Sequence, residues 1–284
     1  MNIIKLTGGL GNQLFQYAFG QHLARKEQCE VFYDISSFNN QPDFLDKRKF
    51  ELSCIDLKIP IINDNNFNNF QALSRNKKIV SSFKHLIYGS KGDFLRIPEN
   101  LTPISNFLPH YIHNKYYSGY WQTYKYLQST DMHTAQGFNL KKEYENQLLN
   151  THYKKEINSS NSISLQVRRG DYLNVGNVIC DLDYYQKSVR YFANKISNPV
   201  YFVFSDDIEW CRRELDLDAQ LIFLEPNLQL PFEDMKLMSL CKHHIIVNSS
   251  YGWWGGMLNH NNRKIIVSPK RWKNKLNLKS FIKI

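Results

Sequence analysis

The sequence predicts an α/β protein in two parts, with a parallel β-sheet in the second part. The chain opens with a strand, a glycine-rich turn, a helix and a second strand over residues 2–34. After residue 162, short apolar runs alternate with helical patterns, which is typical of a parallel sheet covered by helices on both faces. The chain has 284 residues, roughly two domains at about 150 residues each.

In the first part, Asn2–Leu6 is apolar and is expected to be a strand that ends in the glycine-rich turn. Gln13–Lys26 is expected to be a helix, because its apolar and aromatic side chains recur at the 3.6-residue period of one helix face. Glu30–Tyr33 is the second expected strand, and Asp34 follows it. The predicted order is therefore a β–turn–α–β unit.

A polar segment, Asn158–Ser162, divides the chain and is the expected boundary between domains of residues 1–158 and 159–284. The apolar runs expected as strands beyond it are Ile163–Val167, Val200–Phe204, Leu221–Leu224, Ile245–Val247 and Ile265–Val267. The expected helices between them are Leu182–Ala193, Ile208–Leu215 and Phe232–Cys241. Parallel sheets bind ligands at the carboxyl ends of their strands, so the residues after each strand are the candidate functional residues.

The composition is that of a globular protein, with 42% hydrophobic residues and a net charge of +10. This surplus favours anionic partners, namely phosphates, nucleic acid or an acidic membrane surface. Nucleic acid is not expected, since the basic residues are scattered except at the tail and no nucleic-acid-binding motif is present. The basic tail, residues 270–283, is expected to be either a solvated helix or a contact with a membrane surface.

The expected compartment follows from the cysteines and the chain start. The five cysteines form no CxxC pair, which argues against a disulfide framework and a cysteine zinc site. The first residues lack the charged start and long apolar stretch of a signal peptide, and no run approaches the ~20 apolar residues of a membrane span. We therefore expect a soluble, cytoplasmic protein, with peripheral contact to the inner membrane face as one interpretation of its charge.

The first candidate motif is the turn after the first strand, Gly8–Gln13. Its glycine spacing partly matches a dinucleotide-binding fingerprint, but Leu14 stands where the third glycine belongs. The remaining interpretation is a pocket for an anion or a sugar. Backbone amides at a helix N-terminus would form it, with Asn12 and Gln13 as side-chain donors.

The second candidate motif is Gln166–Tyr172, at the end of the first strand of the second part. Neighbouring strand residues point to opposite faces, so one of Arg168 and Arg169 can reach the cleft while the other pairs with a carboxylate. Arginine presents a fork of donors that suits phosphate oxygens, and Asp171 can orient it. The alternative is a structural Arg–Asp pair at the strand end.

Two further candidate motifs follow later strands. Ser205–Asp207 is either a helix N-cap or a carboxylate pair for metal binding or acid–base chemistry. Asn248–Gly256 joins hydroxyl groups to a small-residue turn before a helix, which predicts a phosphate cradle. Its two tryptophans are either acceptor contacts or core residues. Asp181–Asp183 matches the DxD pattern of metal-dependent sugar transferases, but such three-letter matches arise by chance.

Taken together, five blocks of the sequence resemble glycosyltransferase family 11, the bacterial α-1,2-fucosyltransferases. In chain order they are Gly8–Tyr17, Gly119–Gln122, Val167–Tyr172, Phe204–Asp207 and Asn248–Trp254. Each block alone is weakly specific, whereas five in family order along nearly the whole chain are strongly specific. One position departs from the family pattern, since Gln166 stands where the arginine motif normally opens with His.

The resemblance implies a GT-B-type fold, with two Rossmann-like domains facing a central cleft. It implies inverting transfer of L-fucose from GDP-β-L-fucose without a metal or other cofactor. Residues 1–158 would bind the acceptor and residues 159–284 the donor, with Asp234 reading guanine. The residues implied in catalysis are Arg168, Asn12 and Asp171. Those implied in GDP-fucose binding are Gly11, Gln13, Gln166, Arg169, Asp206, Asp234, Asn248, Ser249, Ser250 and Tyr251.

The expected acceptor is a galactose-terminated oligosaccharide or lipid-linked glycan, fucosylated on its 2-hydroxyl during surface polysaccharide (O-antigen) assembly. A base for that hydroxyl is not evident from the sequence, and Asp34, Asp171 and Asp206 are the candidates. Two alternatives stay open at this point. One is a fucosyltransferase of another linkage or acceptor, and the other is a nucleotide- or nucleic-acid-binding protein without sugar chemistry.

Overall fold

The computed structural model describes residues 1–39, 47–63, 94–100, 114–127, 138–170, 180–272, 276 and 278–284. These residues contain two parallel β-sheets. All strands of the first sheet precede residue 119, and all strands of the second follow residue 160. The protein is therefore an α/β protein in two parts, as the alternation of strands and helices predicts.

Four strands form the first sheet: β1 (Asn2–Lys5), β2 (Val31–Asp34), β3 (Phe94–Pro98) and β4 (Asn114–Ser118). Their spatial order is β2-β1-β4-β3. Helix α1 (Leu10–Glu27) connects β1 to β2, so the predicted β–turn–α–β opening is confirmed. The helix begins earlier than predicted because Gly9 already takes the extended conformation of an N-cap, with φ −80° and ψ 176°.

Six strands form the second sheet: β5 (Asn161–Val167), β6 (Pro199–Ser205), β7 (Gln220–Phe223), β8 (His243–Ile245), β9 (Ile266–Ser268) and β10 (Ile282–Lys283). Their spatial order is β10-β9-β8-β5-β6-β7. The α-helices among the described residues of this part are α2 (Tyr153–Ser159), α3 (Leu182–Ala193), α4 (Ile208–Glu214), α5 (Pro231–Leu240) and α6 (Ser250–Met257). The central strands are buried along almost their whole length, which explains their continuous apolar runs.

Strand β8 begins two residues before the expected strand Ile245–Val247, and its first two residues are histidines. His244 is fully buried, and burial lowers its pKa to about 3, so the ring is neutral. Its two ring nitrogens each lie 2.7 Å from a polar partner, Ser164 Oγ and Asn259 Nδ2. These contacts allow a polar ring in the interior of a strand.

The expected basic helix at the tail is wrong for residues 278–284. There the chain turns and forms β10, in which Ile282 pairs with Val267 of β9. The Ile284 amide also donates to the Ser268 carbonyl at 3.1 Å. Apolar residues decide this outcome, because Phe281 is buried in one core cluster while Ile282 and Ile284 pack against a second cluster that includes Val267.

Helices α1 and α6 join the two parts of the molecule. The Phe15 ring of α1 lies 4.9 Å from Trp253 and 5.0 Å from Trp254, measured between ring centroids. The Trp254 indole N–H donates to the Gly11 carbonyl at 3.0 Å. Both tryptophans are buried in the core and do not line the cavity described below. The expected small-residue turn is itself the start of α6.

The chain crosses to the second sheet before residue 158. Helix α2 already belongs to the second part, because its buried Ile157 packs with Phe202 of β6 and Leu237 of α5. The expected boundary therefore falls inside a helix. Among the described residues, no helix has the length and apolar character needed to cross a membrane.

Candidate active site

A cavity of about 630 Å³ lies between the two parts of the molecule. The first part contributes the glycine turn before α1 and a basic segment, residues 47–51. The second part contributes the ends of β5 and β6, the start of α5 and the residues that open α6. The cavity therefore lies at the carboxyl ends of parallel strands, where ligands of α/β proteins bind.

The N-termini of α1 and α6 cross at the floor of this cavity. A Cβ atom added to Gly11 would lie 2.6 Å from the Tyr251 amide nitrogen and 2.7 Å from the Ser250 carbonyl carbon. The Ser250 hydroxyl donates to Asn12 Oδ1 at 2.8 Å, and Gln122 Nε2 donates to the same oxygen at 2.6 Å. Gly11 and Asn12 thus line the cavity and also form the joint between its two walls.

Arg168 lines the cavity from the end of β5 and is held by one carboxylate. Its Nη1 lies 2.9 Å from Asp206 Oδ2. The other oxygen, Oδ1, accepts from the Arg169 amide at 2.9 Å. Gly170 provides the space for this carboxylate, since a Cβ there would lie 2.4 Å from Asp206 Oδ2. Asp206 is therefore the residue that orients Arg168. The sequence interpretation gave this role to Asp171 and placed Asp206 in donor binding.

Arg169, expected in donor binding, lies outside the cavity. Its Nε pairs with Asp207 Oδ2 at 3.3 Å, and its guanidinium stacks 3.9 Å from the Trp210 ring centroid. Asp207 Oδ1 also accepts from the Trp210 amide and caps helix α4. Strand β5 ends at Val167, and of the two arginines that follow it, the first lines the cavity while the second is held by Asp207 and Trp210. The N-cap interpretation of the Asp pair is thus confirmed for Asp207.

Gln13, also expected to bind the donor, is fully buried and does not line the cavity. Its Nε2 donates to the carbonyls of Gly8 and Lys49, both at 2.8 Å. Its Oε1 accepts from the amides of Glu51 and Leu52, at 2.9 and 3.3 Å. The side chain therefore attaches the basic segment to the glycine turn, and its hydrogen-bonding capacity is used there.

Gln166, which replaces the family histidine, lies at the cavity floor and is nearly fully buried. Its Oε1 accepts from the Val247 amide at 3.3 Å. A Cβ added to Gly252 would lie 1.7 Å from that oxygen, so the amide is wedged between the end of β8 and helix α6. Gln166 thus supports the start of α6 in addition to facing the cavity.

The residues that open α6 form part of the cavity wall. Asn248, Ser249, Ser250 and Tyr251 all line it. Ser249 is the N-cap, yet its side chain makes no capping hydrogen bond. The first-turn amides of a helix have no partner within the helix, so they form a site for a negatively charged group. The Tyr251 hydroxyl is engaged elsewhere, because it donates to the Pro231 carbonyl at 2.6 Å.

Asp234 lines the cavity from the first turn of α5. Burial raises the pKa of its carboxyl group to about 7, although hydrogen bonds from Asn227 and Asn150 act in the opposite direction. The Asn227 amide donates to Oδ2 at 3.0 Å, and Asn150 Nδ2 approaches Oδ1 at 3.3 Å. The neighbouring Glu233 accepts from the Asn150 amide at 2.8 Å, which fixes Asn150 beside Asp234.

No sequence motif indicates that the basic segment, residues 47–51, belongs to the site. Lys47, Arg48 and Lys49 line the cavity together with Glu51, which begins a short 3-10 helix, Glu51–Cys54. The Glu51 carboxylate accepts a hydrogen bond from the Leu10 amide at the start of α1. It therefore occupies the helix N-terminus that the sequence predicted as an anion pocket. Three basic residues in a row were the one local signal.

Two residues that were expected as candidate bases, Asp171 and Asp34, are not among the described cavity-lining residues. Asp171 lies outside the described residues. Asp34 is the buried last residue of β2, and its carboxylate accepts from the Tyr116 hydroxyl at 2.8 Å and the Ser36 amide at 2.9 Å. It is therefore not a base for a substrate. In the part of the chain that the structure describes, no three His, Cys, Asp or Glu side chains group as metal ligands would.

Two α/β halves around a polar cleft, with an arginine and a helix N-terminus facing it, form the architecture of the GT-B fold class. The chain matches the family model "Glycosyl transferase family 11" over residues 1–282, and it belongs to that family. The fold is shared with NodZ from Bradyrhizobium, an α-1,6-fucosyltransferase co-crystallized with GDP. That structure has a TM-score of 0.56 and 14% identity over 89% of this chain and 90% of its own.

Two relatives from Escherichia coli align along almost the entire chain. One is the O-antigen biosynthesis glycosyltransferase WbnK, which is 30% identical over 98% of this chain and 99% of its own length. The other is an α-1,2-colitosyltransferase, which is 30% identical over 98% of this chain and 94% of its own length. Both relatives are transferases of sugars, in agreement with the family assignment.

Proposed function

We propose that this glycosyltransferase transfers L-fucose from GDP-β-L-fucose, with inversion, to the 2-hydroxyl of a terminal galactose. The observation that carries the proposal is the Arg168–Asp206 pair, which holds a guanidinium in the same cavity as the start of α6. An oriented arginine and a helix N-terminus are two independent features that bind phosphate oxygens. Together they suit the pyrophosphate of a nucleotide sugar.

In this proposal, Arg168 and the α6 residues Ser249 and Ser250 hold the pyrophosphate. Negative charge grows on the β-phosphate as the bond to the sugar breaks. Arg168 stabilises that charge most strongly in the transition state, which is the requirement for catalysis. The positive charge needed for the leaving group then comes from the protein itself, so we propose that transfer proceeds without a metal or other cofactor.

Asp234 is proposed to read the guanine base. A carboxylate can accept two hydrogen bonds side by side, from N1–H and the exocyclic amino group of guanine. Adenine offers no such pair of donors on the corresponding edge. The position supports this role, because Asp234 lies in the same cavity as Arg168, and Glu233 and Asn150 fix its surroundings.

The pKa of Asp234 predicts a pH-dependent affinity for GDP. Only the ionised carboxylate accepts both guanine donors, so a proton must leave when GDP binds below the pKa of about 7. We expect the Kd for GDP to rise about tenfold between pH 8 and pH 6, with each pKa unit worth about 1.4 kcal/mol. Asp234→Asn should bind GDP more weakly and lose this part of the pH dependence.

Calorimetric titration of both proteins across this range measures the effect. Ionisation of the GDP phosphates contributes equally to the two proteins, so the difference between their profiles isolates Asp234. ADP provides the ligand control and should respond little to the substitution. Equal GDP affinity for wild type and Asp234→Asn at pH 8 would remove guanine reading from this residue.

The acceptor is proposed to bind against the first part of the chain, residues 1–158, and the donor against residues 159–284. A galactose-terminated oligosaccharide or lipid-linked glycan of O-antigen assembly fits this arrangement. The net charge of +10 supports peripheral contact with an anionic membrane surface, where a lipid-linked acceptor would lie. The E. coli relative named for O-antigen biosynthesis supports the same biological context.

A second candidate function is transfer of colitose, which is the 3-deoxy form of L-fucose. The observation that favours it is the 30% identity to an α-1,2-colitosyltransferase over 98% of this chain. The two donors would share the nucleotide and the pyrophosphate. They would differ only at the sugar C3, so the Arg168 and Asp234 contacts are compatible with both.

The test measures GDP release from GDP-fucose and GDP-colitose with a panel of galactose-terminated acceptors, in the presence of EDTA. We expect acceptor-dependent release with GDP-fucose and a product linked to O2 by NMR. GDP release with GDP-colitose alone would identify colitose as the transferred sugar. A product linked at another position would show that a different acceptor hydroxyl is used. No release with either donor, together with no thermal stabilisation by GDP, would overturn the proposed function.

A further inference from the structure

Three carboxylates line the described part of the cavity: Glu51, Asp206 and Asp234. Asp206 is engaged with Arg168 and with the Arg169 amide. Asp234, on α5, accepts hydrogen bonds from the Asn150 side chain and the Asn227 amide. Glu51 is the one carboxylate of this set that comes from the first part of the molecule. No described histidine lines the cavity.

Glu51 lines the cavity from the part of the chain that is proposed to bind the acceptor. An inverting transfer requires the attacking oxygen and the leaving phosphate to lie on opposite faces of the sugar C1. Arg168 and the start of α6 define the phosphate side, and both belong to the second part. Glu51 lines the same cavity but comes from the first part, beside the glycine turn, where its Oε2 is 3.9 Å from the position that a Cβ of Gly9 would take.

The backbone holds Glu51 in this position. Its amide donates to Gln13 Oε1 at 2.9 Å, and the same buried glutamine fixes the Lys49 carbonyl on the other side. The Leu10 amide donates to the carboxylate. A group held by two neighbouring elements keeps its position during the reaction, which is what general-base catalysis requires.

The electrostatic surroundings suit a base. Burial raises the pKa of Glu51 above its ordinary value, although nearby cations and the Leu10 hydrogen bond act in the opposite direction. A raised pKa makes the carboxylate a stronger proton acceptor. The charged and titratable groups that face it from its own segment and from both walls are Arg48, Lys49, Cys54, Arg168 and Tyr251.

We infer that Glu51 is the catalytic base, which takes the proton of the acceptor hydroxyl as that oxygen attacks C1 of the donor sugar. The acceptor O–H bond breaks and the proton moves to a Glu51 carboxylate oxygen. The new O–C1 bond forms while the bond from C1 to the phosphate oxygen breaks. Its electron pair leaves with the GDP β-phosphate, and Glu51 later returns the proton to solvent. This inference rests on the proposed function.

Glu51→Gln tests the inference, because glutamine keeps an oxygen that can accept from the Leu10 amide but cannot take up a proton. We expect kcat to fall about 10²–10⁴-fold, the usual contribution of a general base, with an unchanged Tm and unchanged Kd for GDP. In wild type, kcat should rise with pH as Glu51 ionises, and this limb should be absent from the variant. Glu209→Gln, on the surface of α4, is the matched control and should retain full activity.

A second variant distinguishes a catalytic role of Glu51 from a purely structural role at the N-terminus of α1. Activity of Glu51→Ala should be partly restored by formate, a small carboxylate that can accept the proton, and not by chloride at equal concentration. Full kcat in Glu51→Gln with an unchanged pH profile would overturn the inference and leave the fucosyl transfer intact. Loss of activity in both variants with a reduced Tm and no formate rescue would assign Glu51 to structure alone. If wild type itself turns over no acceptor while still binding GDP, the proposed reaction fails and this inference fails with it.

Discussion

Replacement of Arg168 by Ala is expected to lower kcat by about 10²–10³-fold, by analogy with the loss of one donor from an oxyanion hole. The guanidinium lines the cavity and is held 2.9 Å from Asp206. It acts where charge develops on the leaving phosphate, so its loss should affect the transition state more than substrate binding. The effect should therefore appear in kcat and kcat/KM together. Steady-state measurement of acceptor-dependent GDP release provides both constants.

The chain supplies a matched control at the next position. Arg169→Ala removes the same charge, but its side chain pairs with Asp207 and stacks on Trp210 outside the cavity. This variant should lower Tm and leave kcat close to wild type. Arg168→Lys should restore only part of the rate, because an ammonium group lacks the planar fork of guanidinium. Equal losses of kcat at both arginines would show that the charge acts at long range and that the oriented contact is unimportant.

Replacement of Gly11 by Ala is expected to have the largest effect on the fold of the site. The added methyl would lie 2.6 Å from the Tyr251 nitrogen and 2.7 Å from the Ser250 carbonyl carbon. These are backbone atoms, so no side chain can move away to relieve the clash. Helices α1 and α6 would have to separate. We expect a loss of about 3 kcal/mol of unfolding free energy, the upper part of the usual overpacking range, with a fall in Tm of roughly 6 °C or more.

Gly9→Ala is the control in the same turn. Its added methyl would meet only the Arg48 and Glu51 side chains, at 3.7 and 3.9 Å, which is ordinary contact. Its backbone φ of −80° is also allowed for alanine. Thermal melts of the two variants should therefore separate clearly, with Gly9→Ala close to wild type. A Gly11→Ala protein as stable as Gly9→Ala would show that the two helices do not cross as closely as described.

The elements of the second part could largely be predicted because their periodicity is local. Helix Leu182–Ala193 has the predicted bounds. Strand β5 begins two residues earlier than predicted and ends at the predicted residue, and β6 is one residue longer at each end. Strand β8 begins two residues before the predicted apolar run. The polar His244 can be buried there because it has hydrogen-bond partners in Ser164 and Asn259, which are 80 and 15 residues away. Hydrogen bonds between residues so far apart leave no periodic signal in the sequence.

The candidate site, like the fold, could be predicted only in part. The motifs after strand ends correctly indicated where polar groups would meet, because the carboxyl ends of parallel strands share one edge. The sequence could not decide which residue of each motif faces the cavity. Arg168 does and Arg169 does not, while Gln13 turns into the core and Asp34 is engaged by Tyr116. Each of these outcomes depends on a partner distant along the chain.

The sequence by itself determined the α/β class, the opening β–turn–α–β unit and the family, since these depend on local apolar patterns and contiguous motifs. Only the tertiary structure decided that Glu51 and Arg168 line the same cavity, and that Gly11 allows α1 to cross α6. Glu51 is preceded by a basic run and lies in no recognisable motif. Its position is set by the buried Gln13 side chain, which donates and accepts hydrogen bonds across 36 to 39 residues of chain. Contacts of this kind form only when the two segments are packed together, so their consequences for the site cannot be obtained from sequence patterns.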